Sequence, residues 1–103
     1  MLPYLTSGMA FLILGGVFLA SRVGVISIIV ENSESVEALN AILHDYGKYI
    51  VGRMGIPYRQ RNISIISVAV DAPQDVISTL SGKIGNLKGV SAKTVLSNVI
   101  SDE

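Results

Sequence analysis

The sequence contains no cysteine, no tryptophan and one histidine, His44, and its first 21 residues carry no charged side chain. Without cysteine there are no disulfides, no iron–sulfur ligation and no thiol catalysis. One histidine leaves too few ligands for a transition-metal site within one chain. Eight Lys/Arg balance eight Asp/Glu, so no general attraction to nucleic acid is expected. Aromatic residues make up only 6%. None lies in the two most apolar strand-like segments, which removes the base-stacking platform of RNA-binding sheets. At 103 residues the chain has room for one domain with a modest core, which self-association would help.

What is abundant is aliphatic. Half of the residues are hydrophobic. Residues 22–31, RVGVISIIVE, read as a strand rich in β-branched side chains. Val23, Val25 and Ile29 fall on one face, and Ile26, Ile28 and Val30 on the other, as in a central strand covered on both sides. Asn32-Ser33-Glu34-Ser35 is a helix start, with Asn32 or Ser33 as cap. Val36, Leu39, Ile42, Leu43 and Tyr46 follow at helical spacing, and Gly47 is a natural stop. Residues 49–56 read as a second strand ended by Pro57, residues 58–62 as a polar turn, and residues 63–70, ISIISVAV, as a third strand. Asp71, Pro73 and Gln74 suggest a capping box opening a second helix. Val76, Ile77, Leu80 and Ile84 are its apolar stripe, and Gly85 and Gly89 its exit. Residues 90–100 read as the last strand.

The order is βαββαβ, which predicts an α+β, ferredoxin-like sandwich: a four-stranded antiparallel sheet with two helices on one face. The other face is then bare, although two strands are apolar on both sides. An exposed aliphatic sheet face marks an interaction surface. The simplest cover is a second copy of the chain, so a dimer or tetramer through the open face is expected.

Three features are candidates for chemistry. The first is GRMGIP. Gly52 and Gly55 inside a strand indicate a bulge or close approach by a ligand or another backbone, and Arg53 between them can hold a carboxylate or phosphate. The structural alternative is packing glycines and a solvated arginine. The second is the basic group Lys48, Arg53, Arg59 and Arg61. It suits an anionic partner or simply protects a hairpin and sheet edge. The third is His44 beside Asp45. These are a catalytic pair only if a pocket brings further groups to them; otherwise His44 gains from the helix C-terminus. As a metal ligand His44 would need others from a neighbouring subunit. No nucleophile-elbow pattern is present.

Residues 22–99 resemble the family of iron-only hydrogenase system regulators. The most specific pieces are ILHDYGKYIVGRMGIPY and VDAPQDVISTLSGKIG. The resemblance implies a small domain similar to the ACT domain and to the effector domain of nickel-responsive repressors. It also implies a role in regulating the expression or maturation of [FeFe]-hydrogenase. Nickel-responsive domains bind metal through several His and a Cys, whereas this chain has only His44. Amino-acid-binding ACT domains commonly have a glycine in the loop after the first strand, but VENSES has none. Neither ligand set carries over.

The leading expectation is therefore a non-enzymatic, cytoplasmic regulatory module that acts as a homo-oligomer. It would bind a small effector or protein partner at the first strand-to-helix turn, Asn32 and Ser33, and at Gly52, Arg53, Met54 and Gly55. No cofactor and no direct nucleic-acid contact are expected. The alternative is a small dimeric enzyme with a pocket near His44 and Arg53.

Residues 1–21 form an apolar extension to the domain at 22–103. A membrane span needs about 20 apolar residues; Leu2 to Ala20 is uncharged but interrupted by Pro3, Thr6, Ser7 and glycines. A secretory signal would need a basic start, and MLPYLTSG has none. A third reading is a start codon assigned upstream. Gly15-Gly16-Val17 can be encoded by GGAGGUG, a ribosome-binding sequence, with Leu19 as a UUG start.

Overall fold

The computed structural model describes residues 11–14 and 17–99. Its elements are β1 (Phe11–Leu14), β2 (Val17–Val30), α1 (Val36–Asp45), β3 (Ile50–Tyr58), β4 (Ile63–Pro73), α2 (Gln74–Gly85) and β5 (Val90–Leu96), with 3-10 turns at Ser33–Ser35 and Gly47–Tyr49. The main sheet has the order β5-β2-β4-β3, antiparallel throughout, and β1 pairs with the first residues of β2. From β2 onward this is the expected βαββαβ arrangement. The chain is an α+β, ferredoxin-like domain.

Both helices pack on one face of the sheet. Ile26, Ile28 and Val30 of β2 and Ile66, Val68 and Val70 of β4 meet Leu39 and Leu43 of α1 and Ile77, Leu80 and Ile84 of α2 in one buried cluster. Strand residues enter it at period two and helix residues at three and four, as geometry requires. Gly24 makes room at the centre of the sheet. A Cβ there would lie 2.9 Å from the Leu96 side chain and 3.2 Å from the Val95 carbonyl.

Several local readings need correction. The capping box does not form. Asp71, Ala72 and Pro73 continue β4, paired with Val23, Arg22 and Ser21, and Pro73 is the N-cap of α2 without a side-chain bond. The longer β2 offers backbone partners for these residues, and strand pairing prevails over the local cap. Pro57 does not end β3, which runs on to Tyr58. The strand is at the sheet edge, where a missing N–H is tolerated. It also starts at Ile50, because Tyr49 belongs to a 3-10 turn. The strand predicted from residue 22 begins at Val17. The last strand stops at Leu96.

The cap of the first helical segment is Asn32, whose Oδ1 accepts from the Glu34 N–H at 2.9 Å. The hairpin between β3 and β4 forms as expected. Asn62 takes a left-handed φ of 56°, a conformation asparagine tolerates. Gly15, Gly16, the stretch MLPYLTSG, Ile100 and the tail Ser101-Asp102-Glu103 lie outside the described residues. Among the described residues no helix is long and apolar enough to cross a membrane.

Candidate functional site

The sheet face opposite the helices carries no layer of its own among the described residues. Val23, Val25 and Ile29 of β2, Ile65 of β4, Met54 and Ile56 of β3 and Val95 of β5 are all exposed. Register aligns them in rows: Ile56, Ile65 and Ile29 cross one level, and Gly52, Ala69, Val25 and Val95 another. A row with Met54, Ser67, Ser27 and Lys93 lies between. Among the described residues, charge on this face is confined to Lys93 on β5 and Asp71 near the end of β4. Burial pushes the Asp71 carboxyl above its ordinary value of 3.8, because losing water disfavours the anion.

Alternation along β3 divides GRMGIP between two faces. Gly52 and Met54 pair with Ala69 and Ser67 on the open side, while Arg53 and Gly55 pair with Val68 and Ile66 on the helix side. The four residues therefore do not share one face of the sheet. On the open side, Gly52, Ser67 and Ala69 are small and leave a shallow hollow of about 260 Å³ beside Met54, which Arg53 also borders. A Cβ at Gly52 would meet nothing within 4 Å.

On the helix side, a groove runs between α1 and β3. One hollow of about 260 Å³ lies over Leu39 and Ile66 and is edged by Asn40, Arg53 and Gly55. A smaller one of about 120 Å³ reaches Ser33, Arg59 and Asn62. Val36, Pro57 and Ser64 line both. The Arg53 guanidinium donates to Asn40 Oδ1 at 3.3 Å. Thus the structure brings Ser33, Arg53 and Gly55 to one groove and puts Gly52 and Met54 at the open-face hollow, which Arg53 also borders.

Asn32 is engaged in the fold itself, since its side chain caps the turn and Gly89 packs against it. Asn40 and Ser64 carried no signal as isolated residues. Asn40 stands one helical turn after Val36, which is the spacing that could have placed both on the groove.

A fourth hollow, between α2 and β5, is lined by Ser78, Ser81, Thr94 and Lys93 among others. His44 and Asp45 are exposed at the end of α1 and line none of these hollows. His44 and Arg53 therefore share none of these hollows. Among the described residues, no group of three or more His, Cys, Asp or Glu could hold a metal ion. Arg59 and Arg61 are exposed on the hairpin tip.

Residues 22–94 match the family model described as "TM1266-like: Iron-only hydrogenase system regulator, putative". The chain belongs to this family. It is 34% identical to the uncharacterized protein TM1266 from Thermotoga maritima, whose structure superposes with a TM-score of 0.71. That match covers 74% of this chain and 96% of the other. A formyltetrahydrofolate deformylase from Pseudomonas putida KT2440 shares the fold alone, at 12% identity and a TM-score of 0.56, over 75% of this chain and 30% of that one. No curated protein matches the chain. The ACT-like, ferredoxin-like fold implied by the resemblance is the fold observed.

Proposed function

We propose that this family member is a non-enzymatic regulatory module of the iron-only hydrogenase system that works as a homo-oligomer in the cytoplasm. The observation that carries the reading is the open sheet face. Aliphatic side chains on all four strands of the main sheet stand in solvent on the side without helices. Soluble monomers rarely leave so continuous an apolar surface uncovered. A second copy is the occupant that the surface favours. The face is nearly neutral, and Met54, 72% exposed, projects beside the hollow at Gly52. Knob and hollow on one surface suit a two-fold interface, in which each patch meets its own copy.

The chain would transmit a regulatory signal by binding a small effector or a protein partner, with gene expression or enzyme maturation as the downstream event. Its balanced charge disfavours a direct grip on DNA. Light scattering of the full chain at micromolar concentration tests the assembly. A dimer or tetramer is expected, and a monomer throughout that range would contradict the reading.

A further inference from the structure

We infer that the groove between α1 and β3 binds a small organic anion, with its carboxylate or phosphate on Arg53 and its apolar body over Val36 and Pro57. The inference rests on the reading of the chain as a regulatory module and names the chemical class of its effector.

Four observations converge on it. Arg53 is the one cation edging the larger hollow, and Arg59 the one edging the smaller. Among the described residues no acidic side chain lines either hollow. Among the described residues neither guanidinium has an ion-pair partner, and Arg53 bonds only the neutral amide of Asn40. A guanidinium in this state keeps most of its planar fork available for an oxyanion.

The chain also builds the groove a ligand body needs. Gly55 presents no side chain over Ile66. A Cβ there would sit 3.8 Å from Ile66 Cγ1, in ordinary contact. Leu39 and Ile66 form an apolar floor, while Asn40 and Ser64 supply polar groups at the rim. Few polar groups over an apolar floor is the usual composition of a small-molecule site. Val36, the first residue of α1, lines both hollows and joins them into one groove.

The test uses the full chain labelled with 15N and three probes: phenyl phosphate, phenylacetate and the uncharged benzyl alcohol. At least one anion should shift the Gly55 amide and the Asn40 side-chain amide saturably, and benzyl alcohol should not. Arg53→Gln should weaken that binding about tenfold or more, as expected for loss of a charged hydrogen-bond partner. Gly55→Leu should abolish it by filling the groove. Both positions are exposed on an edge strand, so both variants should fold. The preferred anion assigns the headgroup as phosphate or carboxylate.

No saturable shift with either anion, equal binding of benzyl alcohol, or an unaffected Arg53→Gln variant would overturn the inference. A chain that is oligomeric by light scattering but binds neither anion refutes the groove alone. A monomer that binds one refutes the assembly alone.

Discussion

Replacing Gly89 by alanine should destabilise the chain by about 3 kcal/mol, from strain, steric displacement and weakened hydrogen bonds together. Gly89 has a φ of +70°, and a Cβ there would lie 2.6 Å from Asn32 Cβ and 3.1 Å from Asn32 N. The left-handed backbone costs a residue with a Cβ about 1–2 kcal/mol. Reduced freedom of the unfolded chain returns about 0.4–1 kcal/mol. The contact with Asn32 must then be relieved by moving backbone, because neither atom is the end of a flexible side chain.

That movement pulls on two bonds that fasten the first strand-to-helix turn to the loop between α2 and β5. Glu31 N donates to Gly89 O at 2.7 Å, and buried Ser35 Oγ donates to Lys88 O at 2.6 Å. Each contributes about 0.5–1.5 kcal/mol. Against a total stability of about 5–15 kcal/mol, the loss is easily read as a lower midpoint in urea at fixed protein concentration, with an unchanged slope. Gly82→Ala is the matched control. Gly82 lies within α2, and a Cβ there meets nothing within 4 Å, so the change should stabilise by about 0.5–1 kcal/mol. Gly89→Ala within about 1 kcal/mol of the parent would refute the reasoning about the turn.

Two further substitutions test the core and the rim of the sheet. Leu39→Ala removes a fully buried side chain and should cost about 2–5 kcal/mol in urea unfolding; a smaller loss would mean that α1 is not clamped on the sheet as described. Asp71 has a raised pKa from burial, so the folded chain holds its proton more tightly than the unfolded chain. Its contribution thus makes stability fall as pH rises from about 3.8 through the raised folded value. Asp71→Asn lacks that loss, so its stability relative to the parent should climb across this window and then level off. Parallel urea midpoints over the same pH series would contradict the assignment.

The core was legible because its signal is periodic and local. Ile26, Ile28 and Val30 alternate within one strand, and Ile77, Leu80 and Ile84 recur along one helix. The bare face was legible for the same reason, from Val23, Val25 and Ile29 as the other half of that alternation. The Asp71–Pro73 segment was not. Its local pattern is a helix start, and what overrides it is Ser21–Val23, which is distant in sequence. Pro57 misled because a strand's position at the sheet edge cannot be read within the strand. GRMGIP is legible as a strand, but a strand alternates, and three of its residues belong to each face. The groove needed α1 set against β3 before Asn40, Ser64 and Arg53 could be seen together.

The central claim is that the open sheet face is covered in solution. Val25 and Val36 offer an internal comparison, since each is 37% exposed in the single chain, one on the open face and one on α1. Methyl NMR with a soluble paramagnetic agent reads which of them water reaches. If copies of the chain cover the sheet, the Val25 methyl signals are protected while those of Val36 are attenuated. Equal attenuation of both at micromolar concentration would contradict the account.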